Sequence, residues 1–343
     1  MKSDTHHTLG LAGCVFALLT LVGCAKNPSE NNSDARRAQH VESFDYVWKT
    51  VNEKHYDPTF GGMNWNAARD ELRPVMQVVK TDKRAAEVLN ELVGRLKLSH
   101  YAILDESADA PKDKHDSFVP ALVADVPSVQ AQFGNLPALP LQYAYKKVPD
   151  ANVGYFYLSI FLDPPGVMKA YRAGLKQAEQ TDGLIIDLRH NPGGLGAMAI
   201  GMGNLLVTEK NLKLGTMIQR DSTLDFVLNP QARPFTKPVA VLIDHASGST
   251  AEIFAGGLQD IGRARVFGTT SAGEALPSLI DLLPNGFVFQ YAVANYVSTG
   301  GKTLERNGVT PDEIIDYPAP YLSPDPVITA AVQWITLQSK SKQ

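Results

Sequence analysis

The sequence has few cysteines, no surplus of positive charge and no ligand spacing typical of a metal site. Its two cysteines, Cys14 and Cys24, lie at the start of the 343-residue chain. The remainder therefore contains no disulfide framework, no cysteine-ligated zinc site and no thiol nucleophile. The 32 basic residues are outnumbered by 36 acidic ones, giving a net charge of −4, which disfavours a nucleic-acid partner. No H-E-x-x-H spacing occurs, so we expect no metal and no cofactor.

The chain does have enough apolar residues for a large core. Hydrophobic residues make up 44% of the sequence, and a chain of this length corresponds to about two domains. There is no internal repeat, and the only low-complexity stretch is a polar segment near the N-terminus. These properties predict a folded globular protein.

The first 24 residues have the features of an export signal. An apolar run over residues 9–21 is too short to span a membrane but has the length of a signal-peptide hydrophobic region. It ends in residues 21–24 (LVGC), which resemble a bacterial lipobox, so Cys24 is expected to carry a lipid anchor. The alternative is a plain secretory signal. Alanine, not aspartate, follows Cys24, which predicts a location in the cell envelope at the outer membrane.

The mature chain divides into three regions after a polar tether over residues 25–38. Apolar residues at helical spacing predict an N-terminal helical domain over residues 39–104. Residues 105–140 are rich in Pro, Asp and Lys and predict a linker. Residues 141–340 alternate strand and helix patterns, which predicts an α/β core with a largely parallel sheet. The strand candidates are residues 141–148, 153–161, 183–188, 239–243, 264–267 and 287–297.

One strand-to-helix junction ends in a glycine pair, Gly193 and Gly194. Glycines before a helix let backbone N–H groups face an anion, because they permit close approach. No Gly-Lys-Ser/Thr follows, which excludes a phosphate loop. Just before the pair, Asp187 and Arg189 are predicted to form a structural ion pair.

A second junction places Ser249 directly before a helix, after the apolar run 239–243. A serine at such a turn can act as a nucleophile, with the following amide stabilising an oxyanion. However, residues 249–252 (STAE) also fit a capping box, and the local sequence alone favours that interpretation. A nucleophile also needs a base. His190 and His245 flank the two junctions, while His100 follows the third helical stretch, where the helix dipole alone would favour a histidine.

Four ordered motifs together resemble the tail-specific (carboxy-terminal processing) serine peptidases. They are residues 98–100 (LSH), 187–194 (DLRHNPGG), 247–252 (SGSTAE) and 307–312 (NGVTPD). The resemblance extends over residues 40–318. It implies an α/β core related to the crotonase and ClpP folds with an N-terminal helical cap, and an activity on peptides or unfolded proteins.

The family has two catalytic designs. In one, a lysine lies 25 residues after the serine and acts as base, but Glu274 occupies that position here. The other resembles the core of tricorn protease, and implies a tetrad in which Ser249 is the nucleophile and His100 the base. Ser99 and Glu305 would complete it. The resemblance further implies an oxyanion hole formed by the amides of Thr250 and of Gly193 or Gly194.

Many family members also carry a PDZ domain between the Ser-His motif and the core, which binds the substrate's carboxy terminus by strand addition. Residues 105–140 contain no carboxylate-binding glycine loop, so we expect no PDZ domain. The sequence leaves open whether the substrates are short peptides, whether a partner delivers them, and whether the protein forms a homo-oligomer. Two further alternatives are a non-catalytic binder of a hydrophobic ligand or peptide, as in the similar retinoid-binding modules, and an acyl-transfer or hydratase enzyme of the crotonase type.

Overall fold

The computed structural model describes residues 33–105, 120–131, 138–316 and 324–341. Cys24, the export signal and most of the tether lie outside these ranges, as do large parts of the predicted linker. Among the described residues, no helix combines the length and apolar content needed to cross a bilayer.

The helical domain consists of α1 (Ser33–Lys54), α2 (Trp65–Gln77) and α3 (Asp82–Gly94). Asn64 and Thr81 cap the second and third helices by accepting backbone N–H groups. The first helix begins earlier than expected, within the predicted tether, because Arg36 binds the carboxylate of Asp82 and the carbonyl of Asn285. The helices bury the predicted apolar faces, which include Phe44, Val47, Val51, Val88, Leu89 and Leu92.

The remaining elements alternate as the sequence predicts. The helices are α4 (Pro164–Ala178), α5 (Gly196–Gly203), α6 (Thr250–Asp260) and α7 (Pro326–Lys340). The strands are β1 (Ala102–Leu104), β2 (Val129–Ala131), β3 (Leu139–Leu141), β4 (Tyr143–Lys147), β5 (Gly154–Leu158), β6 (Leu184–Asp187), β7 (Leu212–Gln219), β8 (Thr223–Leu228), β9 (Val239–Ile243), β10 (Arg265–Gly268), β11 (Ser278–Leu282), β12 (Val288–Ala292), β13 (Ala294–Ser298) and β14 (Glu313–Ile314).

A six-stranded sheet forms the core, in the order β14-β10-β9-β6-β5-β4. Only β4 runs antiparallel to its neighbour, which confirms the predicted largely parallel sheet. Every residue of β9 is buried, with Val241 packing in the cluster that contains α4, α5 and α6, and Leu242 in the cluster that contains α7. Because both faces are covered, functional groups collect where the parallel strands end.

The predicted single strand over residues 287–297 is wrong. It divides at Val293 into β12, which pairs with β1 and β11, and β13, which pairs with β7. Phe289 packs with the helical domain, whereas Tyr296 packs in the α/β core. The alternation shifts its phase by one residue at the division: Phe289 and Tyr291 are buried in β12, and Ala294 and Tyr296 in β13. The unbroken apolar run over residues 291–294 conceals this shift in the sequence. The segment from β11 to β12 thus returns to the helical domain from the region predicted as core.

Candidate active site

The turns that follow β6 and β9 are joined by hydrogen bonds. The N–H of Gly248 donates to the carbonyl of Asn191 at 2.9 Å, and the hydroxyl of Ser247 donates to the carbonyl of Leu188 at 2.7 Å. The two junctions identified in the sequence therefore form one unit at the edge of the sheet.

Behind this unit, the predicted ion pair between Asp187 and Arg189 is confirmed. The two side chains are completely buried and their charged atoms lie 2.6 Å apart. Arg189 also contacts Asp325 at the start of α7, at 2.8 Å, and the hydroxyl of Tyr155 donates to Asp187 at 2.6 Å. The charges are thereby paired within the protein, and the turn after β6 is braced from the core side.

Ser249 occupies a strained turn. Its φ of 52° and ψ of −118° lie in a region that a residue with a side chain rarely adopts, and such strain concentrates at functional sites. Its N–H is 2.8 Å from the carbonyl of Glu274 and 2.9 Å from the carboxylate of Glu252. The Glu252 half of the predicted capping box is therefore present, and it holds the strained serine.

Glu252 does more than close this cap. Its carboxylate also accepts hydrogen bonds from the hydroxyl of Ser271 and from the amides of Gly273 and Glu274, at 2.6, 2.8 and 3.0 Å. Burial raises the pKa of this carboxyl, and the four donors oppose that shift. The start of α6 is thus fixed to the loop 271–274, a role that the capping-box pattern alone does not reveal.

Three of the predicted tetrad residues meet in one hydrogen-bonded group. The hydroxyl of Ser99 is 2.7 Å from Oε2 of Glu305 and 2.8 Å from Nδ1 of His100. A hydroxyl has one proton, and an ionised carboxylate can only accept it, so Ser99 donates to Glu305 and accepts from the Nδ1–H of His100. In this tautomer the Nε2 of His100 carries the lone pair that a general base requires.

The loop over residues 271–275, which contacts Glu252, also links Ser249 to this group. Oε2 of Glu305 accepts the N–H of Ala275 at 3.3 Å, and the preceding residue, Glu274, accepts the N–H of Ser249. The Glu274 side chain is itself exposed. On the other side of Glu305, Arg306 donates from its guanidinium to the carbonyl of Lys97 at 2.6 Å. Residues 97–100, 274–275 and 305–306 therefore converge beside the start of α6.

Burial lowers the pKa of His100, while the nearby charge of Glu305 acts in the opposite direction. The imidazole is therefore neutral at neutral pH and able to accept a proton.

The backbone around His100 is held by its neighbour. His100 itself has a left-handed backbone, with φ of 60°. The hydroxyl of the next residue, Tyr101, lies 2.6 Å from Nδ1 of His55 and 2.9 Å from the carbonyl of Ala292. Burial lowers the pKa of His55 to about 4.

The glycine pair lies against the serine turn. A Cβ on Gly193 would be 2.6 Å from the Cβ of Ser249 and 2.8 Å from the nitrogen of Thr250. The N–H of Gly193 donates to the side chain of Asn191 at 2.9 Å. Of the two glycine amides suggested for the oxyanion hole, this arrangement favours that of Gly194, together with that of Thr250. The oxyanion hole itself stays a prediction.

The other two histidines near the junctions have different surroundings. The ring of His190 pairs with the buried carboxylate of Asp244, and His245 is exposed, with its ring centroid 5.6 Å from that of His190. His100 is the one that forms the Ser99 and Glu305 group. Within the described ranges, no three His, Cys, Asp or Glu side chains are grouped so as to bind a metal ion.

Comparisons with known proteins identify two regions. Residues 152–315 match peptidase family S41, and residues 36–94 match the tricorn protease C1 domain. The chain is 32% identical to a carboxyl-terminal-processing protease of Synechocystis sp. over 172 residues, covering 50% of this chain and 39% of that protein. It is 26% identical to the carboxy-terminal processing protease CtpA of Bacillus subtilis, covering 54% of this chain and 41% of that protein. The chain thus spans about two fifths of the length of these relatives.

Solved structures with low sequence identity share the fold. The tricorn protease superimposes with a TM-score of 0.61 at 15% identity, over 89% of this chain and 37% of that chain. The photosystem II D1 C-terminal processing protease superimposes with a TM-score of 0.54 at 16% identity, over 81% of this chain and 93% of that chain. These likenesses confirm the α/β fold class. The match to peptidase family S41 and the carboxy-terminal processing relatives are consistent with the tail-specific serine peptidase family that the sequence motifs resemble.

Proposed function

We propose that the protein is a serine endopeptidase that hydrolyses peptides or unfolded proteins. The observation that carries this proposal is the hydrogen-bonded group of His100, Ser99 and Glu305, which fixes an imidazole and is joined through residues 274 and 275 to the strained turn of Ser249. A non-catalytic binder of a hydrophobic ligand would need neither the strained turn nor a fixed imidazole tautomer, and nothing in the site favours that alternative.

In the proposed reaction, the Oγ of Ser249 attacks the carbonyl carbon of the scissile peptide bond and Nε2 of His100 takes its proton. The developing oxyanion faces the amides of Thr250 and Gly194, where one donor contributes about 3 kcal/mol to transition-state stabilisation. His100 then gives the proton to the leaving amine. A water molecule, activated by the same histidine, hydrolyses the acyl-enzyme and regenerates Ser249.

Glu305 acts on this reaction through Ser99. When His100 becomes positively charged, its Nδ1–H is bonded to a hydroxyl whose own proton points to the carboxylate. The carboxylate of a serine-protease triad contacts the imidazole directly, whereas here the negative charge stabilises the imidazolium through the intervening hydroxyl of Ser99. This assigns Ser99 and Glu305 as positioning residues for the base.

Covalent labelling with a fluorophosphonate tests the nucleophile. We expect the wild-type chain to gain one phosphonyl group, located on Ser249 by mass spectrometry of peptides. Ser249→Ala is expected not to react, and His100→Ala to react much more slowly, since the serine is then without its base. Labelling of Ser249→Ala at the wild-type rate contradicts the assignment.

The lipobox supports a second part of the proposal, attachment to the cell envelope through a lipid on Cys24, with the outer membrane as the location. Growth of a bacterial expression host with an alkyne fatty acid tests it. We expect the label on the full chain and on a Cys14→Ser variant, which serves as the matched control, and no label on Cys24→Ser. Equal labelling of the two variants contradicts the anchor at Cys24.

A further inference from the structure

Asp244 comes directly after β9 and joins the two turns of the candidate site. Its side chain is buried. Oδ1 accepts the N–H of Ala246, in the same turn, at 3.0 Å, and the N–H of His190, in the turn after β6, at 2.9 Å. Oδ2 pairs with Nδ1 of the His190 ring. One carboxylate therefore holds both turns, close to the ends of the two strands.

The turn after β6 is strained at His190. Its backbone has a φ of 56°, which residues with a side chain rarely adopt. Such a conformation persists only where the surroundings fix it, and Asp244 contacts both the backbone N–H and the ring. Burial would raise the pKa of Asp244, but the hydrogen bond from His190 and the backbone N–H groups lower it below its usual value. Asp244 is therefore an anion at neutral pH.

The turn after β6 leads from His190 to one of the two predicted oxyanion donors. The side chain of the next residue, Asn191, accepts the N–H of Gly193 at 2.9 Å and donates to the carbonyl of Leu158 at 2.8 Å. The predicted donor is the following amide, that of Gly194. Its position thus depends on where residues 190 and 191 are held.

The turn after β9 leads to the other predicted donor, the amide of Thr250. Within this turn, the N–H of Gly248 donates to the carbonyl of Asn191 at 2.9 Å. At its far end, the hydroxyl of Thr250 donates to the carbonyl of Gly194 at 2.8 Å. The two turns are thus joined at three places, of which the buried carboxylate is the one nearest the sheet. Two amides bind one oxygen atom only when both N–H groups point at it, so their relative position depends on these contacts.

We infer that Asp244 and the ring of His190 are positioning residues for the oxyanion hole. The carboxylate sets the separation of the two donor amides, those of Gly194 and Thr250. This role rests on the proposed peptidase function and adds a second carboxylate to it: Glu305 orients the base, whereas Asp244 acts through the two turns. Displaced donors stabilise the transition state less well but leave substrate binding unchanged, so the effect is expected on kcat and not on KM.

Steady-state cleavage of reduced and carboxymethylated α-lactalbumin by the full chain measures this difference. Asp244→Ala is expected to lower kcat about a hundredfold, as loss of an oxyanion donor does, with less than about a twofold change in KM. His190→Ala keeps the carboxylate and is expected to lower kcat about tenfold, because one hydrogen bond is lost.

The matched control is Asp260→Ala, at the other end of α6. The carboxylate of Asp260 also joins two segments, since it accepts the N–H of Gly300 at 2.8 Å. It lies about 15 Å along the helix from Ser249. We expect this variant to keep kcat within about twofold of wild type. Equal losses of kcat in Asp260→Ala and Asp244→Ala overturn the inference.

A double-mutant cycle shows where Asp244 acts. Added to Gly194→Ala, Asp244→Ala is expected to lower kcat by less than about threefold, because that donor is already displaced. Added to Ser99→Ala, which affects the base, it is expected to lower kcat by the same factor as in wild type. The rate of fluorophosphonate labelling at Ser249 gives the same cycle where turnover is slow. A general loss of structure gives the full factor in both backgrounds and overturns the inference.

Circular dichroism shows whether each variant is folded. If Asp244→Ala is unfolded, the cycle is run with His190→Ala, and the same outcomes apply. Wild-type kcat in the folded variant overturns the inference while the peptidase function stands. A folded wild-type chain that neither cleaves the protein nor reacts with the fluorophosphonate overturns the peptidase function, and the positioning role with it.

Discussion

Ser99 donates both its backbone N–H and its hydroxyl to the carboxylate of Glu305, at 2.8 and 2.7 Å. The residue immediately before the proposed base is therefore fixed by two bonds to one buried acid. Because the same hydroxyl contacts Nδ1 of His100 at 2.8 Å, the position of Glu305 determines both the orientation and the tautomer of the imidazole.

Replacing Ser99 by alanine separates His100 from Glu305 while leaving both in the chain. We expect kcat to fall by about a hundredfold or more, since the imidazole loses its fixed tautomer and the stabilisation of its charged form. Thermal unfolding of the variant, followed by circular dichroism, should stay within a few degrees of wild type. Ser99→Thr retains a hydroxyl and is the matched control, expected to keep more activity than Ser99→Ala. A Ser99→Ala variant with wild-type kcat contradicts the assigned role.

The pH dependence of kcat/KM reports the titration of His100 in the free enzyme. The reaction needs the neutral imidazole, and burial lowers its pKa from 6.5, so we expect the acid limb to reach half-maximum below pH 6.5. Glu305→Gln removes the charge that opposes this shift. The limb should then move to a still lower pH, while the plateau falls because the imidazolium loses its stabilising carboxylate. A limb that moves upward in Glu305→Gln contradicts this electrostatic account.

Gly194 has a φ of 127°, and a Cβ there would lie 2.3 Å from the carbonyl oxygen of Phe161. Gly194→Ala therefore forces the backbone to move at a proposed oxyanion donor. We expect kcat to fall by about a hundredfold and the free energy of unfolding, measured in urea, to fall by about 1–3 kcal/mol. Gly262→Ala is the control, because it too has a positive φ but has no atom within 4 Å of the added Cβ. Wild-type kcat in Gly194→Ala argues against this oxyanion hole.

Arg189→Met tests the brace behind the turn. The substitution leaves the carboxylate of Asp187 completely buried without its cation, for which we expect a loss of about 3–5 kcal/mol in the free energy of unfolding. The control is Arg265→Met, which breaks a half-exposed pair with Glu313 at 3.4 Å and should lose no more than about 1 kcal/mol. Urea denaturation of the two variants gives the comparison, and equal losses contradict a bracing role for Arg189.

Much of the core could be predicted because buried parallel strands appear in sequence as continuous apolar runs. The segments of β6 and β9 were identifiable for this reason, as were the helices that follow them. Residues on either side of Val293 show the limit of such patterns. The alternation changes phase between β12 and β13, but four apolar residues in a row hide the change. Which sheet each strand joins depends on contacts that are distant in sequence.

The candidate site, like the fold, could be predicted only in part from the sequence. Ser249 and the glycine pair stand out by position, at turns between strands and helices, whereas His100 is distant in sequence and was selected by family resemblance. No spacing predicts that Glu252 also accepts the backbone N–H groups of Gly273 and Glu274. Nor does any spacing predict that the side chain of Asn191 accepts the N–H of Gly193. These contacts arise from the fold of separate loops, and a local pattern does not contain them.

The most direct test of the central claim is a time course of cleavage of an unfolded protein by the full chain in detergent. Wild type is compared with Ser249→Ala, His100→Ala and the control Lys97→Ala, each shown to be folded by circular dichroism. We predict fragments with wild type and Lys97→Ala, and none with the other two variants. Full activity in folded Ser249→Ala or His100→Ala would contradict the tetrad, as would an inactive wild type in a folded, detergent-dispersed sample.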